Sequence, residues 1–141
     1  MTSLLRAGGL EQPLGVSRAG MARVSLRLGF AAEQALGPGK IRLLELIGET
    51  GSISAAGRAM KMSYRRAWML INELNLMFRE PLVEARPGGA NGGGARLTES
   101  GTDVVRRYRA IESDVECHSS ANIAALEKMV VGTKRKARPS A

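Results

Sequence analysis

The sequence has one cysteine, one histidine, one tryptophan, two tyrosines and two phenylalanines in 141 residues. Each scarcity excludes something. With Cys117 alone, no intrachain disulfide, zinc knuckle or CxxC redox pair can be assembled, and a reducing cytoplasm suits the chain. His118 is its neighbour, but adjacent residues on a helix point about 100° apart, and no further Cys or His is available. Neither a metal site nor a catalytic pair is expected, and the chain does not read as an enzyme. No apolar run approaches the roughly 20 residues that span a bilayer, so no membrane segment is expected. Residues 1–22 lack the continuous apolar stretch of a secretory signal and carry scattered Gly, Pro and Arg without a period. They are expected to form a disordered extension, with Met21 as an alternative start.

Against these absences stands an excess of positive charge. Lys and Arg number 21 against 13 Asp and Glu, a formal charge of +8 with a pI near 10.6. That is the electrostatic footprint of a polyanion binder, although charge alone does not name the polyanion. A composition of 44% hydrophobic and 24% charged residues is globular. The length suits one domain with extensions. With so few aromatics, its core must come largely from Leu, Ile, Val, Ala and Met.

Hydrophobic periodicity divides the chain. Residues 24–30 (VSLRLGF) alternate as a strand, and residues 31–36 read as a short helical connector. Pro38 suits a first helical turn, and Ile41, Leu44 and Ile47, widened by Leu43 and Leu46, make a stripe that ends near Gly51. Ser52 caps a short Ala-rich helix to Met60, in which Gly57 permits close approach of a neighbour. Lys61 and Met62 turn the chain, and Ser63 caps a helix from Tyr64 to about Phe78. On it Ala67, Leu70, Ile71, Leu74, Met77 and Phe78 share the core side. Arg65, Met69 and Asn72 face outward, with Arg66 and Trp68 on the flanks. Residues 82–86 (LVEAR) and 95–97 (ARL) form a hairpin around a glycine-rich tip at 87–94. Thr98 caps a long helix to about 129, where Val104, Tyr108, Ile111, Val115, His118 and Asn122 recur as a seam for pairing two helices. Residues 130–141 read as a disordered basic tail.

Strand, helix, short helix, tight turn, longer helix and hairpin is the order of a winged helix-turn-helix, whose third helix enters the major groove. The expected fold is mainly α with a small β-hairpin, occupying residues 23–129 with a C-terminal dimerisation helix at about 98–129. The stretch GSISAAGRAMKMSYRRAWMLINELN (51–75) followed by LVEARPGGANGGGARLTESG (82–101) resembles the N-terminal DNA-binding domain of the molybdate-responsive ModE regulators, with a looser similarity to the LysR-type helix-turn-helix. The resemblance spans about residues 24–126. By position it implies that Ser63, Tyr64, Arg65 and Arg66 begin the recognition helix, that Trp68 matches the family's tryptophan, that residues 87–94 are the wing tip, and that the helix after Thr98 dimerises. Full ModE regulators continue into molybdate-binding domains, and this sequence stops soon after the long helix. The resemblance therefore implies DNA binding and dimerisation without molybdate sensing, and no cofactor or small-molecule site is expected in the chain.

The individual residues fit that reading unequally. Arg65 and Arg66 lie within one turn of the cap, where an Arg can bond guanine O6 and N7 together. Spacing does not decide which of them reads a base and which holds a phosphate. Ser63 and Tyr64 suit phosphate positioning at a helix N-terminus. Arg86 and Arg96 flank the wing and can reach phosphates or the minor groove, though exposed Arg on a hairpin is commonplace. Trp68, beside the core stripe, suits packing at least as well as DNA contact. The glycine-rich tip lacks the strand-to-helix setting of a dinucleotide loop, and Gly39–Lys40 is followed by Ile41, not the Ser or Thr of a phosphate-binding loop. His118 and Asn122 on the seam can fix register.

The expected function is a sequence-specific, homodimeric DNA-binding transcriptional regulator. Two alternatives remain at this point: a sequence-neutral DNA binder or partner subunit served by a separate effector protein, and a protein-interaction module whose long helix pairs with a different chain.

Overall fold

The computed structural model describes residues 22–87 and 94–131. The expected N-terminal extension up to residue 21, the wing tip at 88–93 and the basic tail from 132 lie outside the described residues. The chain divides into two compact units. One spans Ser25–Glu112, and the other comprises, among described residues, 22–24 and 113–131.

The larger unit is built around helix α1 (Pro38–Thr50). Pro38 begins it, and Gly51 ends it in the left-handed conformation at φ 74° with its N–H on the Ile47 carbonyl. Because Ile41, Leu43, Leu44, Leu46 and Ile47 are all buried, the helix is covered on more than one side. Helix α2 (Ile53–Ala59) is capped by the Ser52 hydroxyl, which accepts from the Ala55 N–H at 2.9 Å. Helix α3 (Tyr64–Met77) buries Ala67, Ile71 and Leu74, with Leu70, Met77 and Phe78 packed at the edge of the core. The periodicity that predicts this stripe is therefore observed. Gly57 supplies the close approach expected of it: a β-carbon there would lie 3.1 Å from the Ala67 β-carbon. The α2–α3 turn closes with the Met62 N–H on the Gly57 carbonyl at 2.9 Å. It forces Lys61 to φ 61°, a conformation costing a non-glycine residue about 1 kcal/mol or more.

A hairpin and a further helix complete the unit. Strands β3 (Val83–Arg86) and β4 (Gly94–Leu97) pair antiparallel, with Val83 opposite Leu97 and Glu84 opposite Arg96. The order is that of a mainly α winged helix-turn-helix. Helix α4 (Glu99–His118) is capped by Thr98, whose hydroxyl accepts from the Gly101 N–H at 2.9 Å. Gly101 lies so close to the Leu82 carbonyl that any β-carbon would overlap it.

Three expectations are corrected. The N-terminal strand shrinks to β1 (Leu28–Gly29), and the connector contains a three-residue 3-10 turn (Ala31–Glu33) followed by β2 (Ala35–Leu36), the partner of β1. The Phe30 N–H bonds the Gln34 carbonyl at 2.7 Å, so the segment folds back on itself as a small hairpin. The long helix is interrupted at Ser119, after which α5 (Ser120–Met129) begins. Ser119 still donates to Val115 and accepts from Ile123, both at 2.9 Å, so the interruption is a local distortion. Finally, two seam positions are used inside the larger unit. Tyr108 is fully buried with its hydroxyl donating to the Leu26 carbonyl at 2.6 Å, and Val104 packs on the same core. An apolar period on one helix does not distinguish a domain core from a partner helix, and here the core takes the N-terminal part.

Arg109 holds α4 to α1 beside Tyr108. Its guanidinium takes both Glu45 oxygens, at 3.0 and 3.1 Å, and Glu112 at 2.6 Å. This bidentate geometry is the strong form of the ion pair. In the smaller unit the Val24 N–H reaches Glu116 at 3.4 Å and the Ala22 N–H bonds Glu127. Leu126, Met129, Val130 and Val131 are exposed there. Among the described residues no helix is long and apolar enough to cross a membrane.

Burial, followed by the nearby Glu112 carboxylate, raises the Tyr108 phenol above its ordinary value, and this outweighs the opposing effects of Arg109 and the Leu26 bond. Because the folded state favours the protonated phenol, its contribution to stability is complete below about pH 10 and is lost as pH rises through the raised value. Urea unfolding from about pH 9 to 11 is expected to show a shallower alkaline loss of stability in Tyr108→Phe than in the parent. Parallel slopes would contradict the assignment.

Candidate nucleic-acid interface

The exposed side of α3 begins at its cap. Ser63 is extended (φ −70°, ψ 161°), and its hydroxyl accepts from the Arg66 N–H at 3.0 Å, satisfying one of the free amides of the first turn. Since that hydroxyl is engaged in capping, it fixes where the helix starts, and the remaining first-turn amides and the positive end of the helix dipole stay available to an anion. Ala67, Ile71 and Leu74 pin one side of α3 to the core. The helical period then leaves Tyr64, Arg65, Arg66, Trp68, Met69 and Asn72 exposed. Among the described residues neither the Arg65 nor the Arg66 guanidinium has an ion-pair partner, whereas Arg42, Arg96, Arg106, Arg107 and Arg109 all do. The structure thus brings Ser63, Tyr64, Arg65 and Arg66 together in one helical turn.

The wing arginines are placed differently. Arg96 stands opposite Glu84, and its Nε lies 2.8 Å from Glu84 Oε2. Exposed pairs of this type contribute only about 0–1 kcal/mol, so the guanidinium is held in place but readily released. Arg86 folds toward the end of α1: a β-carbon on Gly51 would come within 3.0 Å of its Nη2. The Gly51 carbonyl also accepts from the Ala95 N–H at 2.9 Å, binding the hairpin to the same point. The exposed Arg86 side chain therefore lies beside Gly51, at the point where the hairpin meets the end of α1.

Two features escape a reading of sequence pattern. Arg58, exposed on α2 with Nη1 on Ser54 Oγ at 3.0 Å, and Lys61, exposed in the turn, add positive charge next to the start of α3. Their only signal is their place inside the helix-turn-helix stretch. The second is Asn75. Its Oδ1 accepts from the Leu82 and Val83 N–H groups at 2.8 and 3.1 Å, and its Nδ2 donates to the Val83 carbonyl at 3.1 Å. One amide on the last turns of α3 thereby fixes the first residues of the wing. Trp68, for which packing is expected at least equally, is instead substantially exposed.

The comparisons with known proteins agree with this geometry. Residues 39–102 match the bacterial regulatory helix-turn-helix proteins of the lysR family. The molybdenum-pterin-binding protein MopA of Rhodobacter capsulatus is 41% identical over 102 residues, which cover 72% of this chain and 36% of that protein. The molybdenum transport protein ModE of Azotobacter vinelandii is 41% identical over 96 residues, 68% of this chain and 35% of its own length. The DNA-binding transcriptional dual regulator ModE of Escherichia coli K12 is 38% identical over 87 residues, 62% and 33% respectively. The chain thus spans about a third of the length of the curated relatives it matches.

Asn75→Ala leaves two part-buried amides without their acceptor, each costing about 1–3 kcal/mol. Urea melts are expected to show a loss of about 2–4 kcal/mol for the variant, and a loss below about 0.5 kcal/mol, within the range of neutral surface changes, would show that the tether is dispensable.

Proposed function

We propose that this chain, which carries a ModE-like helix-turn-helix domain of the lysR family across residues 39–102, binds double-stranded DNA as a homodimer, reads sequence with α3 and regulates transcription in the cytoplasm. The observation that carries the proposal is the pair Arg65 and Arg66, exposed and without ion-pair partners among the described residues, in the first turn of a helix whose opposite face is locked into the core. A guanidinium in that position can donate to guanine O6 and N7 at once, and the same turn can hold a phosphate through its amides and the Tyr64 hydroxyl. Arg58 and Lys61 add charge directed at the backbone, while Arg96, once released from Glu84, supplies a further contact from the wing.

Dimerisation is supported by the exposed apolar residues Leu126, Met129, Val130 and Val131 at the end of α5. Two copies of a helix-turn-helix read half-sites about one helical turn of DNA apart. The formal charge of +8 also favours a second reading, sequence-neutral binding, because neutralising phosphates requires no base contact. Competition by bulk DNA at several salt concentrations distinguishes the two: a specific reader keeps its preferred site over excess competitor, and a neutral one is titrated away.

After a bound site has been selected from genomic DNA, Arg65→Ala is expected to weaken specific binding about tenfold to hundredfold, the equivalent of roughly 1–3 kcal/mol for a bidentate base contact. Binding to bulk DNA should change much less. Unchanged affinity for the selected site in gel-shift titrations would remove Arg65 as a base reader.

A further inference from the structure

Trp68 is the only tryptophan in the chain, and 47% of it is exposed. The core does not require it: the single aromatic side chain fully buried among the described residues is Tyr108. Tyr64, four residues earlier and so on the same side of α3, is 57% exposed. Together with Arg65 these two rings line a shallow open depression on the surface of α3. Leaving the largest apolar side chain half in water, next to a charged group that has no ion-pair partner among the described residues, forgoes burial that a small adjustment of sequence would avoid. An apolar contact made only in the complex accounts for that arrangement.

Resting on the reading that α3 occupies the major groove, we infer that Trp68 is a specificity-determining residue that packs on the 5-methyl group of a thymine. The major-groove edges of the four base pairs present hydrogen-bond donors and acceptors, and the thymine methyl is their one apolar feature. A residue one turn into a groove-bound helix is still within reach of base edges. The indole offers a broad apolar face, and Arg65, one helical step from Tyr64 on the rim of the same depression, is placed to contact an adjacent base. The structure therefore assigns two kinds of reading to one turn of helix: hydrogen bonding to guanine by Arg65 and methyl recognition by Trp68.

The test uses the full chain and the site it selects from genomic DNA, with each thymine replaced singly by deoxyuridine, which removes the methyl group and leaves base pairing unchanged. The parent protein is expected to lose about threefold to fivefold in affinity at one thymine per half-site, the equivalent of one buried methyl. Trp68→Ala should bind the unmodified site more weakly and show no further loss at that position, while remaining sensitive to guanine substitutions. Because the side chain is exposed, the variant is expected to fold, and its circular dichroism melt checks this directly. The tryptophan emission of the parent should also change on DNA binding, since no other indole is present.

The inference is overturned if no deoxyuridine substitution weakens the parent, or if Trp68→Ala retains the parent's full deoxyuridine pattern. Loss of specific binding in Arg65→Ala with either of those results removes the tryptophan role alone. Failure of both Arg65→Ala and Trp68→Ala to alter specific binding, or failure to select any preferred site, removes the groove reading of α3 and this inference with it.

Discussion

The position of α3 relative to the wing depends on one polar junction. Asn75, near the end of α3, holds the amides of Leu82 and Val83, and the Leu82 carbonyl in turn accepts the Thr98 N–H at 2.9 Å. Thr98 donates its hydroxyl to the Pro81 carbonyl at 2.7 Å while the same oxygen caps α4 through Gly101. Thus α3, the first strand of the wing and the start of α4 meet within a few residues, with every exchange made through a hydrogen bond or a glycine contact. The Asn75 bonds to Leu82 and Val83 are part-buried, and a buried backbone group left unpaired costs about 1–3 kcal/mol. The amide of Asn75 carries its acceptor and donor on separate atoms, so it meets the Leu82 and Val83 N–H groups and the Val83 carbonyl at once.

Charge is distributed around this rigid frame in two ways. On α4 and α1 the arginines are paired locally: Arg109 with Glu45 and Glu112, and Arg106 and Arg107 with the shared carboxylate of Asp103. The paired guanidiniums hold the Asp103 carboxyl below its ordinary range, with the Arg107 hydrogen bond the largest cause. At the start of α3 the opposite holds, and Arg65 and Arg66 stand without such partners among the described residues. Two guanidiniums that structural pairs do not consume therefore stand where the helix amides also point. An anion approaching that turn meets oriented donors already in place, so little reorganisation is required on binding.

Much of this was legible in the amino-acid sequence because the relevant signals are local. Ser52, Ser63 and Thr98 each precede a fresh apolar period, and each caps the helix that it announces. The core stripe of α3 follows from its period, and the exposure of Arg65 and Arg66 follows from the stripe. What pattern could not supply was contact between distant segments. Residues 24–30 read as one strand and residues 31–36 as a helical connector, and only the pairing of Leu28 with Leu36 and Gly29 with Ala35 shows that the segment folds back as a hairpin. The seam on α4 was ambiguous because Tyr108 finds the Leu26 carbonyl, 82 residues away in sequence. Arg86 and Arg96 look alike on paper, yet one lies across Gly51 and the other pairs with Glu84. Asn75 offered no periodic signal because its role is set by where the wing begins.

The central claim is that α3 lies in the major groove. Methylation interference addresses it directly, because dimethyl sulfate modifies guanine N7 on the major-groove edge and adenine N3 on the minor-groove edge. The account predicts that methylated guanines block binding in two clusters whose centres are about one helical turn, roughly 10 base pairs, apart. Interference confined to adenine N3, or none at guanine N7 anywhere in the bound site, would contradict it.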